Sequence, residues 1–440
     1  MNILSVLNNL NAEHKKGWRR NAVLFLVSQS ITLFGSTLVQ MAVVWYVTLS
    51  TSSGAWTAAF SICSYLPQFL ISIPGGVWAD RFSRKRLILS SDLFTALITL
   101  AMIVLMPYHS TEPSLLSGLL LMSVLRSLCA GIQTPAVNAA LPQLVPAGQL
   151  QRFNGINAAL QSFVQFAAPA AAGAVLSFGT LRMTLLIDIA TAIPGILLLS
   201  ALPLSGESPG NFSAESPGNF STDSSGDLSC RSSGLSHRDS QRFSSALKTG
   251  LAYAFSHSPV RRLLILYGLF VFLCVPAGFL SGLLVSRAYG SSYGYLTAAE
   301  LAGFAGMTAG GALMGTWGGF SRKEKTLSVG LVLFGAMAVL MGTTPDFPLY
   351  LVFMLVYGIA LTAVQTTITT LLQECTDASV RGRVFGMLGS MYSGFLPLGM
   401  AVFGPLSDLL PLQWIMTVSG IFLICTGLQV RVSRSSVHVP

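Results

Sequence analysis

Along the chain, apolar runs of about 18 residues or more alternate with short polar breaks, and each run is long enough to cross a hydrocarbon layer of about 30 Å as a helix. The runs fall at about 22–48, 55–79, 87–107, 115–138, 153–178, 182–202, 262–286, 296–320, 326–343, 347–372, 384–409 and 413–430. This pattern predicts an all-α membrane protein with twelve transmembrane helices. The first run is too long for the apolar core of a signal peptide, and no small-residue cleavage pattern follows it, so the N-terminus is expected to be retained.

One stretch breaks the pattern. Residues 205–245 hold 14 serines and almost no large apolar side chains, and "ESPGNFSA" (207–214) is followed at once by "ESPGNFST" (215–222). Such a segment cannot bury enough apolar surface to offset its ordering entropy, which predicts a disordered linker over 203–245. It divides the chain into a first six-helix bundle (22–202) and a second (246–430). The second is preceded by a candidate amphipathic surface segment, "FSSALKTGLAYAFSHS", from about 243 to 258. Residues 1–21 and 431–440 are short polar ends. Two equal halves joined by a polar loop are the pattern of a transporter built from repeats.

Composition supports a polytopic protein: 52% of the residues are hydrophobic, 9% are charged, and mean hydropathy is +0.66. Charge placement tests the span count. Of the 25 basic residues, all but Arg126, Arg182 and Arg287 fall in segments that share one side of the membrane with the N-terminus. The positive-inside rule makes that side cytoplasmic and predicts a multi-pass protein of the cytoplasmic (inner) membrane with both termini inside. The net charge of +9 is thereby a topology signal and does not point to nucleic acid. The histidines lie in tails and loops and the cysteines form no CxxC pair, so no metal site is expected. No GxxxxGK[ST] or HExxH motif occurs, so neither an ATP-driven pump nor a membrane protease, nor any other enzyme with catalytic residues or a cofactor, is expected.

The scarce charges concentrate at "GGVWADRFSRKRL" (75–87), between the second and third spans. Four basic residues anchor a short cytoplasmic loop, but topology alone does not require Asp80 or the glycines before it. "GVWADRFSRKRL" resembles the loop signature of the major facilitator superfamily, in which Gly76, Asp80, Arg81, Arg84 and Lys85 match while Trp78 and Ser83 replace the usual Leu and Gly. The resemblance implies the major facilitator fold of two six-helix bundles. It also implies that these residues form a gating latch, whose acid faces the start of the eleventh span at "RGRVFGML" (381–388) when the inner side is closed. "LRSLCAGIQTPAVNAALPQLVP" (125–146) and "LQECTDASVRGRVFGMLGS" (372–390) resemble the macrolide-efflux branch of the drug:proton antiporters. The antiporter motif of the fifth span is present in part, as Ala168, Pro169, Ala172 and Gly173.

Polar residues inside spans carry the functional information in a membrane chain. Gln29, Ser36 and Gln40 share one helical face of the first span. Gln133 shares a face of the fourth with Arg126. Asn157, Gln161 and Gln165 line up in the fifth, and Thr362, Gln365, Thr366 and Thr369 in the tenth. The resemblance places these spans around a central substrate cavity. Arg126 lies deep in its span and needs a partner, for which Asp92 and Asp188 compete. Glu300, near the start of the glycine-rich eighth span, is the leading candidate for proton coupling, with Asp188, Arg126 and Asp92 as the rival set. Gly306–Gly310 and Gly311–Gly315 have the GxxxG spacing of helix packing. The expected activity is export of amphiphilic, macrolide-like small molecules by alternating access, driven by proton influx, by a protein working as a monomer in the lipid bilayer. Siderophore or lipid export is the alternative within the fold, and a non-transporting receptor or scaffold the alternative outside it.

Overall fold

The computed structural model describes residues 3–108, 111–146, 149–202, 257–376 and 381–432. The serine-rich linker and most of the candidate surface segment lie outside them, as do the side chains of Asp80 and Arg81. Regular structure among the described residues is helical. The first half holds α1 (Ile3–Thr51), α2 (Gly54–Arg81), α3 (Arg84–Leu105), α4 (Glu112–Leu144), α5 (Leu150–Phe178) and α6 (Leu181–Ser200). The second holds α7a (Ser258–Gly278), α7b (Ser281–Ala288), α8 (Tyr293–Trp317), α9 (Lys323–Thr343), α10 (Phe347–Cys375), α11 (Arg381–Leu409) and α12 (Leu412–Val432). With α7a and α7b taken as one span, ten of the twelve are by themselves long and apolar enough to cross a membrane. The other two, α2 and α8, both lie at the seam between the halves.

The seventh span is broken where the apolar pattern predicted one helix. Pro276 removes a backbone donor, and the turn closes instead through Leu280 N–H to the Val275 carbonyl (3.2 Å) and Ser281 Oγ to the Gly278 carbonyl (2.7 Å). At membrane depth such irregular backbone is tolerated only where it is buried in protein or lines a water-filled cavity, and residues 278, 279, 281 and 282 do line the central cavity.

The halves repeat one packing scheme. In the first, α1 packs on α5 and α6, α2 on α4, and α3 on α4 and α6; in the second, α7a packs on α11 and α12, α8 on α10, and α9 on α10 and α12. The seam between them is made by α2 with α11, α5 with α8, and α1 with α7b. Because the helices alternate in direction, one end of the bundle carries the connection at Ser53 and the other the connection at Arg84. At the Ser53 end the halves touch: a side chain on Gly54 would run into Ser407 and Gly404, and one on Gly173 into Thr297. Toward the Arg84 end, Gly76 of α2, Gly315 of α8 and Gly389 and Gly394 of α11 face open space. The cleft between the halves therefore opens at the Arg84 end.

Of the two GxxxG pairs, Gly306 and Gly310 are the packing pair, set against the backbone of Leu355 and Ile359 on α10, whereas Gly311 and Gly315 face open space. Gly306→Leu should force α8 off α10, at a cost of about 1–3 kcal/mol, while Gly315→Leu should be nearly neutral. Thermal melting of the two variants in detergent checks the contrast, and equal melting temperatures would contradict it.

Candidate functional site: a cavity at the seam

The seam encloses a cavity of about 450 Å³, walled by α1, α2, α5, α7, α8, α10 and α11. Its surface is mainly apolar and aromatic, with Trp45, Tyr65, Phe279, Phe304, Tyr357 and Tyr392 among its walls. Tyr65 meets Phe279 edge-on across the seam, ring centroids 6.3 Å apart. Next to Tyr65, α2 is met by a neighbour: Ser127 Oγ of α4 donates to the Ser64 carbonyl (2.7 Å) and accepts from Gln68 N–H (2.9 Å). The Ser127 hydroxyl thus shares the helical ladder of α2 beside Pro67, while the helix itself runs on unbroken.

Gln40, Gln165 and Gln365, all expected at the cavity from sequence, line it. So does Glu300. Because α8 begins at Tyr293, earlier than the apolar pattern indicated, Glu300 sits seven residues into the helix, about 10 Å along it. It is half-buried and takes part in no hydrogen bond or ion pair among the described residues. Among the described residues lining the cavity, it is the one carboxylate, and no Lys, Arg or His joins it. A charged carboxylate here is costly to maintain unless a proton, a cation or water meets it.

Beside the cavity, and sharing Gln40 and Ser64 with it, lies a smaller polar recess of about 90 Å³ lined by Ser36, Gln68, Thr95, Ser123, Arg126 and Gln133 among others. Arg126 is ion-paired with Asp188, whose Oδ1 also accepts from Nη2 at 3.3 Å, and both side chains are nearly buried. Thr99 Oγ1 donates to Asp188 Oδ2 (2.9 Å) and also contacts Arg126. Asp188, not Asp92, is therefore Arg126's partner. Asp92 instead accepts from Gln133 Nε2 at 2.8 Å, and its Oδ2 is buried without a hydrogen-bond partner.

The remaining expected residues scatter. Gln29 is buried in α1, away from both spaces, with Nε2 unpartnered. Asn157 and Gln161 lie on the largely exposed part of α5 toward the Arg84 end, outside the lining of either space. Thr362 Oγ1 donates to the Met307 carbonyl (3.2 Å) and ties α10 to α8, Thr369 bonds back to the Gln365 carbonyl (2.8 Å), and Thr366 is exposed. In the loop signature, Arg84 donates to the carbonyls of Ala139 (2.8 Å) and Ala79 (3.3 Å), and Lys85 to those of Ser200 and Leu202 at the end of α6 (2.7 and 2.6 Å). Both basic residues hold helix ends of the first half together. Gly76 faces open space; the Asp80 and Arg81 side chains lie outside the described residues.

Sequence reasoning missed one cluster altogether. Ser53, Asp408 and Arg287 meet across the seam at the closed end. The available signal was an acid in the last turn of α11, where it opposes its own helix dipole.

Known proteins point to one family. The chain is 23% identical to macrolide efflux protein A of Streptococcus pyogenes over 420 residues, covering 94% of this chain and 96% of that protein. It is 22% identical to the multidrug efflux pump Tap of Mycobacterium tuberculosis over 424 residues, 93% and 92% of the two chains. In fold it is similar to a bacterial homologue of the iron transporter ferroportin solved in an inward-facing state, with a TM-score of 0.66 at 17% identity over 93% of this chain and 98% of that one. Residues 24–394 match the sequence pattern of the Major Facilitator Superfamily, and the chain belongs to that family of membrane transporters.

Proposed function

We propose that the protein exports cationic amphiphilic small molecules in exchange for protons, by alternating access of the seam cavity. The observation that carries this reading is the cavity's chemistry: an aromatic, apolar volume fit for a drug-sized molecule, with Glu300 as its lone carboxylate and no counter-cation among the described lining residues. Proton and cation would then compete for one negative charge, which is the condition for exchange. The named activities of the efflux relatives agree in class. An anionic siderophore fits less well, because Arg126, the basic residue at the neighbouring recess, is already paired with Asp188.

The orientation follows from charge. Loops at the Arg84 end carry most of the basic residues, so that end faces the cytoplasm and both termini lie inside. The cleft then opens inward, as an exporter requires for loading. A single copy encloses the whole cavity, which agrees with a protein that works as a monomer. Expression in a host lacking its own efflux pumps should raise resistance to lipophilic cations and to amine-bearing macrolides several-fold, and to anionic amphiphiles not at all. Unchanged susceptibility to the cationic panel, in cells where the protein is present in the membrane, would overturn the reading.

A further inference from the structure

The geometry points to an outer gate in which Asp408 and Arg287 clamp the two halves together at the Ser53 end and must release in every transport cycle. Asp408, at the end of α11 in the second half, caps the start of α2 in the first. Its Oδ1 accepts from Gly54 N–H at 2.7 Å, and its Oδ2 from Ala55 N–H at 2.9 Å and from Ser53 Oγ at 2.7 Å. Arg287, at the end of α7b, closes the cluster. Its Nη2 donates to Asp408 Oδ1 (2.7 Å) and to the Ser52 carbonyl (2.6 Å), its Nε to the same carbonyl (3.2 Å), and its Nη1 to the Ser407 carbonyl (2.6 Å).

Two further observations separate this from an ordinary surface network. First, the placement of the acid opposes the interests of its own helix. A carboxylate in the last turn of α11 faces the negative end of that helix dipole, and besides Arg287 it is compensated by the positive start of another helix, here the α2 of the other half. Second, Ser52 takes the left-handed backbone conformation, φ 48°, uncommon for a non-glycine residue, and this turn offers the carbonyl that Arg287 binds. Both Asp408 and Arg287 keep about 30% of their side-chain surface exposed, so water can take over each bond as it breaks and the clamp remains reversible.

The loop signature offers a counterpart by position. Asp80 stands at the end of α2, as Asp408 stands at the end of α11, and each helix begins at the end of the bundle where the other finishes. Gly54 and Gly404 let the helices meet at the Ser53 end; Gly76, Gly389 and Gly394, facing open space here, leave the same room for contact at the Arg84 end. The two acids thus work in opposite directions on one equilibrium: Asp408 favours the state closed outside, Asp80 the state closed inside. Which side each acid serves rests on the orientation proposed above.

Labelling of a single cysteine in intact cells tests this. In the full chain with its six cysteines replaced by serine or alanine, Ser61→Cys puts a reporter in the cavity wall. A membrane-impermeant maleimide added outside reaches it only when the outer gate opens. Asp408→Asn, which keeps one acceptor oxygen for the α2 N–H groups but loses the charge and turns the other oxygen into a donor, should raise the labelling rate about tenfold, the scale of one charge at a helix start. Arg287→Gln should raise it as well, Asp80→Asn should lower it, and the Asp80→Asn/Asp408→Asn pair should return toward the parent. Unchanged labelling in Asp408→Asn and Arg287→Gln, with both variants present in the membrane at parental levels, would reduce the cluster to a static brace and overturn the gate. A reversed orientation would show separately: Gly389→Cys, at the opposite end, would then be labelled fast from outside in the same cysteine-free chain with its gate residues unchanged.

Discussion

Glu300→Gln is expected to insert and fold like the parent yet to lose pH-gradient-driven export of cations. Glutamine keeps the size and polarity of the side chain but cannot hold a proton or a negative charge. Glu300 takes part in no hydrogen bond or ion pair among the described residues, so its replacement breaks none of these there. A cation about 4 Å from the carboxylate gains about 1 kcal/mol in a water-filled cavity and about 4 kcal/mol at an effective dielectric of about 20. Affinity for cationic substrates should therefore fall about fivefold or more, while binding of neutral amphiphiles persists. Substrate-induced proton release in detergent or proteoliposomes is the direct readout: present in the parent, absent in Glu300→Gln. Parental proton release from Glu300→Gln would move the coupling site elsewhere in the molecule.

The second large effect is on stability. Asp188→Asn and Arg126→Leu each leave one member of a buried ion pair without its counter-charge, and breaking such a pair costs about 3–5 kcal/mol. In the first variant the stranded group is a guanidinium held inside the bundle; in the second, Asp188 keeps only the Thr99 hydroxyl of the bonds it now makes. Expression and melting temperature should drop sharply for either single change. Arg126→Leu with Asp188→Leu should recover much of the loss, because removing both charges also removes their desolvation cost. Thermal melting in detergent, read by size-exclusion recovery, checks the order: either single variant below the double. A double variant less stable than both singles would assign the pair a role beyond mutual neutralisation. The same series separates the two acids. Asp188, already neutralised by Arg126, should act mainly on folding, and Glu300 mainly on coupling.

Much of the architecture was legible because lipid imposes a one-dimensional rule: apolar length gives the span. The twelve spans were found on that basis; Gln40, Gln165 and Gln365, which line the cavity, were found as polar faces of spans that the family resemblance sets around a cavity. Three features were not legible, each for a physical reason. The break at Phe279–Leu280 was hidden because Pro276 and Gly278 sit within a run as apolar as any intact helix. The choice of Asp188 over Asp92 depends on how α3 and α6 pack against α4, which spacing along a single helix cannot report. The polar stripes of α5 and α10 point in the right general direction, but helical phase alone does not separate a cavity wall such as Gln365 from a packing contact such as Thr362. Asp408 escaped notice because one acid near a loop reads as a span end. Its meaning appears only when the helix it caps is seen to belong to the other half.

Proton-coupled export through the seam cavity is read directly from transport by the purified parent protein in proteoliposomes. A fluorescent lipophilic cation is followed while a pH gradient is imposed, acid on the side of the Ser53 end. Proton-coupled export predicts movement of the cation toward the acid side against its own gradient, abolished by a protonophore and by Glu300→Gln. Cation movement that only follows the concentration gradient, at a rate indifferent to the imposed pH difference, would contradict the account.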